Sequence, residues 1–207
     1  IPLLNVRPDY QGKKIGKQLV LKALEKTVSL ERPRLDLFTW AGNIKAVPLY
    51  KRTGFFWEER DDVTHLMNFI PLVWNTPLLR DYFKEIDWYH DSKRVIEQKP
   101  DGIKENGFTF YEYVWNNGSA GLRVQIERTG RKISLIETDE FILEMKLVKH
   151  ELVEEEKHPF EIHFKNKTGV PAQVKVEGSG DGRTIYGISE EGEIGNAAVF
   201  TSEAFVN

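Results

Sequence analysis

The 207-residue sequence contains no cysteine, which excludes disulfides, thiol nucleophiles and thiolate metal sites together and agrees with a reducing, cytoplasmic setting. It has no dominant charge of one sign either. Its 29 Lys and Arg stand against 32 Asp and Glu, giving a formal net charge of -3. Without a global positive field the chain has no general means of gathering nucleic-acid phosphates, so nucleic acid is not an expected partner. No run of 18 apolar residues occurs, and the first residues carry neither a basic region nor a signal-length apolar segment, so no membrane span or address is read. His65, His90, His150, His158 and His163 include no pair at helical i, i+4 spacing, and no metal is expected.

What is present is an ordinary globular composition, 40% hydrophobic and 29% charged, sufficient to bury a core. The length exceeds the commonest single-domain size of roughly 100–150 residues, so two compact units are expected. Residue 1 is Ile, and Ile1-Pro2-Leu3-Leu4-Asn5-Val6 reads as the middle of an apolar strand. The expectation is a fragment or an incompletely recorded chain.

A strand over residues 3–6 is followed by Arg7-Pro8-Asp9-Tyr10-Gln11-Gly12, a cluster that ends a strand and turns the chain. Ile15, Leu19, Val20, Ala23, Leu24 and Val28 then mark an amphipathic helix that stops near Arg32-Pro33. Residues 35–40 read as a buried strand. Helical spacing returns over 43–52, with Pro48 delaying or kinking the helix and Gly54 as its left-handed cap. Residues 55–57 and 63–69 predict two short strands joined by the charged turn 58–62, and Pro71 ends this unit. The aromatic-rich stretch 74–98 has the spacing of a connecting helix, and 99–107 reads as a linker.

Beyond residue 107 the apolar period becomes 2, at Phe108/Phe110, Leu122/Val124/Ile126, Phe141/Leu143/Met145/Leu147, Phe160/Ile162/Phe164 and Val170/Ala172/Val174/Val176. Turns fall at 116–118, 129–130, 166–169 and 180–182. The fold class predicted is α+β, with an all-β, sandwich-like second half. The expected domains are 1–72, a helical connector and linker over 73–107, and a β-sandwich over 108–207. Asn166-Lys167-Thr168 spells a glycosylation acceptor but reads more simply as a hairpin turn. Trp88-Tyr89 and the aromatics of 110–115 are either core or a stacking platform.

The chemistry is concentrated at Gln11-Gly12-Lys13-Lys14-Ile15-Gly16, where strand, tight turn and helix N-terminus follow one another. First-turn N–H groups lack intrahelical acceptors, and the helix dipole adds about half a positive charge, so this arrangement favours an anion. Gly12 and Gly16 allow close approach, while Lys13, Lys14 and Lys17 raise the local potential. A pyrophosphate fits there.

These residues resemble the acetyl-CoA signature of the GNAT family of N-acetyltransferases: Gln or Arg, two residues, Gly, one residue, then Gly or Ala. Gln11 and Gly16 match and Lys14 replaces the middle Gly. Asn43, Ala46, Leu49-Tyr50 and Gly54-Phe55 resemble the family's second motif at the expected spacing. The resemblance implies that residues 1–72 are the C-terminal half of a GNAT domain and that acetyl-CoA is the co-substrate. Asn5, Val6 and Arg7 would pair with pantetheine through their backbone. Gln11, Gly12, Lys13, Ile15, Gly16 and Lys17 would bind pyrophosphate, and Asn43 would face the pantetheine arm or simply cap a helix. Lys14 would either crowd the phosphates or add a bond to the 3′-phosphate. Tyr50 would be the general acid that protonates the departing thiolate after a neutral amine attacks the acetyl carbonyl. The base is not named by the pattern, and Glu58 and Glu59 are the local candidates.

In such enzymes about three strands and two helices precede the signature strand. A half-domain would expose a sheet edge, so either the native chain is longer or another chain, a second copy included, completes the sheet. The alternative reading is a non-catalytic interaction protein in which the β-sandwich works and the transferase half is a relic or scaffold.

Overall fold

The computed structural model describes residues 4–60, 63–180 and 184–206. They fall into two compact units, one within 1–103 and 111–120, the other within 104–110 and 121–207. The class is α+β with few helices and mostly antiparallel sheet.

The first unit is built on a three-stranded antiparallel sheet of β1 (Leu35–Thr39), β2 (Phe56–Glu58) and β3 (Thr64–Asn68), in the order β1-β3-β2. Its register places Leu37 and Trp57 either side of Leu66, and Phe38 and Glu58 either side of His65. Because side chains alternate along strands, the two rows face opposite ways. The Leu37–Leu66–Trp57 row packs with Val20 and Leu24 of α1 (Ile15–Ser29), Val47 and Tyr50 of α2 (Ala46–Arg52), and Phe55.

Helix α1 buries Val20, Leu24 and Thr27, the last donating its hydroxyl to Ala23 O. Its stripe is narrower than the sequence suggests, since Leu19 is exposed. The N–H of Arg32 returns to Thr27 O, and Pro33 follows. Helix α2 begins three residues later than the spacing predicts. The Asn43 side chain accepts the N–H of Ala46, so Pro48 falls in the first turn, where its missing N–H removes no helical bond. Gly54 has φ +89°, and a Cβ there would come within 2.6 Å of Ile70 Cδ1, so no other residue fits without displacement.

Four expectations are corrected. Residues 4–7 form no strand, because apolar composition alone does not supply a ladder partner; Leu4 instead packs against the core, and Leu3 lies outside the described residues. Pro71 does not end the unit but sits in the first turn of α3 (Ile70–Asn75), where proline is preorganised for a helix. The stretch 74–98 is not one helix. It contains a 3-10 turn, Pro77–Leu79, then the single-turn α4 (Tyr82–Glu85) and β4 (Ser92–Lys93). Asp87 explains the break, because its carboxylate takes the N–H groups of Tyr89 and His90 and offers the backbone an alternative to helix. Nor is 99–107 a plain linker: it carries β5 (Ile103–Glu105) and the turn Asn106-Gly107, with φ 48° and 85°, the signature of a two-residue hairpin.

Strand β6 (Phe108–Asn116) gives its residues 111–116 to the first unit, where Tyr111, Tyr113 and Trp115 are core. The Tyr113 hydroxyl donates to Gly54 O at 2.8 Å and accepts the Phe69 N–H at 2.9 Å, so the aromatics at these positions are packing rather than a platform.

Among its described residues the second unit has strands and no helix. These are β7 (Gly121–Glu127), β8 (Lys132–Thr138), β9 (Phe141–Leu147), β10 (Lys157–Asn166), β11 (Ala172–Ser179), β12 (Thr184–Ile185), β13 (Gly187–Ile194) and β14 (Ala197–Val206). Strands run in the order β12-β14-β10-β9-β8-β7, while β11 and β13 pair separately. Val174, Val176, Ile188 and Ile194 of that pair pack against Ile162, Phe164, Ala198 and Phe200. Asn166 is buried in its turn, its Nδ2 donating to Val170 O and Gly195 O. The glycosylation pattern is therefore a turn staple. Asp181 and Gly182 of the last expected turn lie outside the described residues, as do Asp61 and Asp62.

Candidate functional site

Three segments converge at the start of α1. A Cβ placed on Gly16 would lie 3.5 Å from Leu49 Cδ2 and 3.7 Å from Val6 Cγ2, so the 4–7 segment, the α1 N-terminus and α2 meet there. Between them, residues 11–14 form the turn. Gly12 has φ +78° with open space about it, and Lys14, the N-cap, has φ 61°. Lys14 makes no side-chain capping bond, and the first-turn N–H groups of Ile15, Gly16 and Lys17 have no hydrogen-bond partner among the described residues.

The local charge is positive. Lys13, Lys14 and Lys17 form no ion pair among the described residues, Lys13 Nζ resting 4.8 Å from the Tyr10 ring centroid. Arg7 is not free, since it makes a two-point contact with Asp9 at 2.9 and 2.6 Å and holds that carboxyl below its ordinary range. Gln11 donates weakly to Val6 O at 3.4 Å, tying the turn to the preceding segment. Asn5 is exposed and Val6 half-buried, and neither belongs to a strand ladder.

Holding a lysine in the left-handed region is unfavourable by about 1–2 kcal/mol. Replacing the exposed Lys14 with glycine is therefore expected to stabilise the chain by about 0.5–1 kcal/mol, measured by urea unfolding. An unchanged or lower midpoint would mean that the lysine side chain contributes more than its backbone loses.

Asn43 spends its side chain on the fold, Nδ2 donating to Thr39 Oγ1 at 3.1 Å and Oδ1 accepting from Ala46. Tyr50 is 8% exposed and packed 5.8 Å from the Phe55 ring. Its hydroxyl has no hydrogen-bond partner among the described residues, and burial raises its pKa above the ordinary 10.0, so the phenol keeps its proton at neutral pH. Glu59 is exposed.

Three features escaped the sequence. Lys51 is buried beside Tyr50, where its Nζ donates to Glu97 O, to Lys99 O at 2.8 Å and to Asp101 Oδ1 at 3.0 Å. The signal was present, because Lys51 follows the buried Val47 at i+4. On the other sheet face, His65 Nδ1 lies 2.7 Å from Glu58 Oε2, and its ring stacks on Phe38 at 4.5 Å. Single-strand patterns do not reveal this pair, which depends on register. Third, Lys17 Nζ and the Arg94 guanidinium carbon each lie over the ring of Tyr89, 4.3 and 4.7 Å from its centroid.

The molecule thus has a turn and helix start able to receive an anion, on an α+β unit. Residues 3–55 match the family model of the acetyltransferase (GNAT) family, consistent with a GNAT segment there. The match covers about a quarter of the chain and supports an acetyltransferase in general. No curated protein and no solved structure matches. Among the described residues no group of three or more His, Asp or Glu could hold a metal ion, and no helix is long and apolar enough to cross a membrane.

Proposed function

We propose that the chain transfers an acetyl group from acetyl-CoA to an amine. The observation that carries this reading is the α1 start: three unpartnered N–H groups, an unfilled N-cap and three unpaired lysines within the segment that matches the acetyltransferase family. The fit to a diphosphate is good, because the first-turn donors are unpartnered, Gly12 is open and no carboxylate pairs with these lysines among the described residues.

When bound, acetyl-CoA supplies an activated thioester. Gly12, Lys13, Lys14, Ile15, Gly16 and Lys17, with Gln11, hold the diphosphate, and the backbone of Asn5, Val6 and Arg7, which joins no strand ladder although Val6 O accepts from Gln11 and Arg7 O from Tyr10, pairs with the pantetheine amides through its remaining groups. Asn43 holds the turn after β1 in place through its bonds to Thr39 and Ala46. Tyr50 keeps a proton on its hydroxyl for the leaving sulfur. Residues 1–72 carry the transfer chemistry in this reading, and the β-rich half from 108 aids acceptor choice or self-association in the cytoplasm.

Tyr50→Phe tests the acid assignment cleanly, because the hydroxyl it removes has no hydrogen bond to lose. The expected result is a kcat lower by roughly 100-fold or more, with acetyl-CoA affinity and unfolding midpoint nearly unchanged. Unchanged turnover would remove Tyr50 from the mechanism.

A further inference from the structure

The sheet of the β-rich half forks between β8 and β9. Their ladder runs from Glu137↔Ile142 to Leu135↔Glu144 and stops there. Beyond that point β8 stays with β7, through Ile126↔Ile133 and Glu127↔Lys132, while β9 stays with β10, through Met145↔Ile162 and Leu147↔Phe160. Two strands held by different neighbours separate, and the β7–β8 register shift at Gln125/Ile126 adds local twist beside the gap. Residues 132–135 and 144–147 both line a hollow of about 260 Å³, so the hollow sits in the fork, with Phe108 and Phe110 of β6 in its wall.

The hollow is apolar where Phe108, Phe110, Ile133, Leu135, Met145 and Leu147 form it. Its aromatic wall is packed, the Phe108 ring lying 6.0 Å from that of Phe110 and 6.0 Å, edge-on, from that of His150. Met145, 42% exposed, is the adaptable member, its thioether able to follow a ligand's outline. Charges on the lining are balanced from within. Glu144 pairs with Lys146 at 3.2 Å, Glu127 takes the N–H groups of Thr129 and Gly130, and Glu105 and Lys132 add one charge of each sign. Three carboxylates against two ammonium groups give an anionic ligand no net attraction. Size narrows the class further. A cavity of about 150 Å³ admits a benzene ring, and drug-sized ligands take roughly 300–1,000 Å³, so the hollow fits two fused rings. We infer that the fork binds a small, neutral, ring-bearing molecule of that size, at a site in the β-rich half that is independent of the acetyltransferase reading.

The probe is indole, two fused rings without charge. The full chain contains two methionines, Met67 and Met145. Carbon-13 labelling of their methyl groups places one reporter in the fork and a control, the fully buried Met67, in the sheet of the first unit. The expected result is saturable movement of the Met145 resonance with a Kd of about 0.1–1 mM, the scale for a ligand of so few atoms, while Met67 stays still. Indole-3-acetate, which adds a carboxylate, is expected to bind no tighter. Ile133→Trp, at a half-buried lining position, fills the hollow and should weaken indole binding by at least about tenfold; Leu147→Trp serves if that variant fails to fold. No movement of Met145 at about 10 mM indole, equal movement of both methionines, tighter binding of indole-3-acetate, or an unchanged Kd in a folded filled variant overturns the assignment. Movement of Met145 with protein concentration alone, without indole, would give the fork to a second copy of the chain and overturn it as well.

Discussion

A Gly16→Glu chain is expected to lose acetyl-CoA affinity by at least about 100-fold while remaining folded, because a carboxylate would stand where the diphosphate is received. The geometry separates charge from bulk. A Cβ on Gly16 would meet Leu49 and Val6 only at ordinary contact distance, so Gly16→Ala is expected to bind within a few-fold of the unmodified chain. Paired titrations of the two variants read the difference. Equal losses would mean that crowding, not charge, governs the position, and no loss in either would place the diphosphate elsewhere.

Lys51→Met is expected to lower stability by about 3–5 kcal/mol, the range for removing one partner of a buried ion pair. The Lys51 side chain is 1% exposed and that of Asp101 15%, so neither regains full hydration when the other is removed. Asp101 also accepts the Trp57 N–H at 2.7 Å and returns its own N–H to Trp57 O at 2.9 Å, fastening residues 97–101 to β2. Burial raises the Asp101 pKa above its ordinary 3.8, with Lys51 and the Trp57 N–H opposing the shift. A carboxyl with a raised folded pKa contributes most below its unfolded value and less as pH rises through the folded one. Without Lys51 the pKa rises further, so the deficit should shrink as pH is lowered from 7 toward 4. Denaturant unfolding at several pH values measures it, and a deficit independent of pH would show that Asp101 is not the group left uncompensated.

Periodicity located α1, β1, α2 and, in the second half, β7, β9, β10 and β11, but it marked none of β8, β13 and β14. It failed at 74–98, where Leu78, Leu79, Tyr82, Phe83 and Ile86 imitate a helix that Asp87 and the pairing of β4 with β6 break up. Local side-chain capture competes with helix at an energy scale that spacing does not report. It failed again at residues 4–7, since ladder formation depends on a neighbour and not on composition. The turn over 11–14 was legible because glycine and lysine there announce backbone geometry and charge directly. The contacts of Lys51 with 97–101, of His65 with Glu58 and of Lys17 with Tyr89 join residues distant in sequence or set by register, and no local pattern encodes them.

The central claim is that the first turn of α1 receives the cofactor's diphosphate through its backbone. It is tested most directly by following backbone amide resonances of the nitrogen-15-labelled full chain while CoA is added. The account predicts saturable shifts concentrated at Gly12, Ile15, Gly16 and Lys17, with their amide protons protected from exchange in the complex. Saturation with shifts confined to other residues, or no shift at ligand concentrations well above the micromolar range, would contradict it.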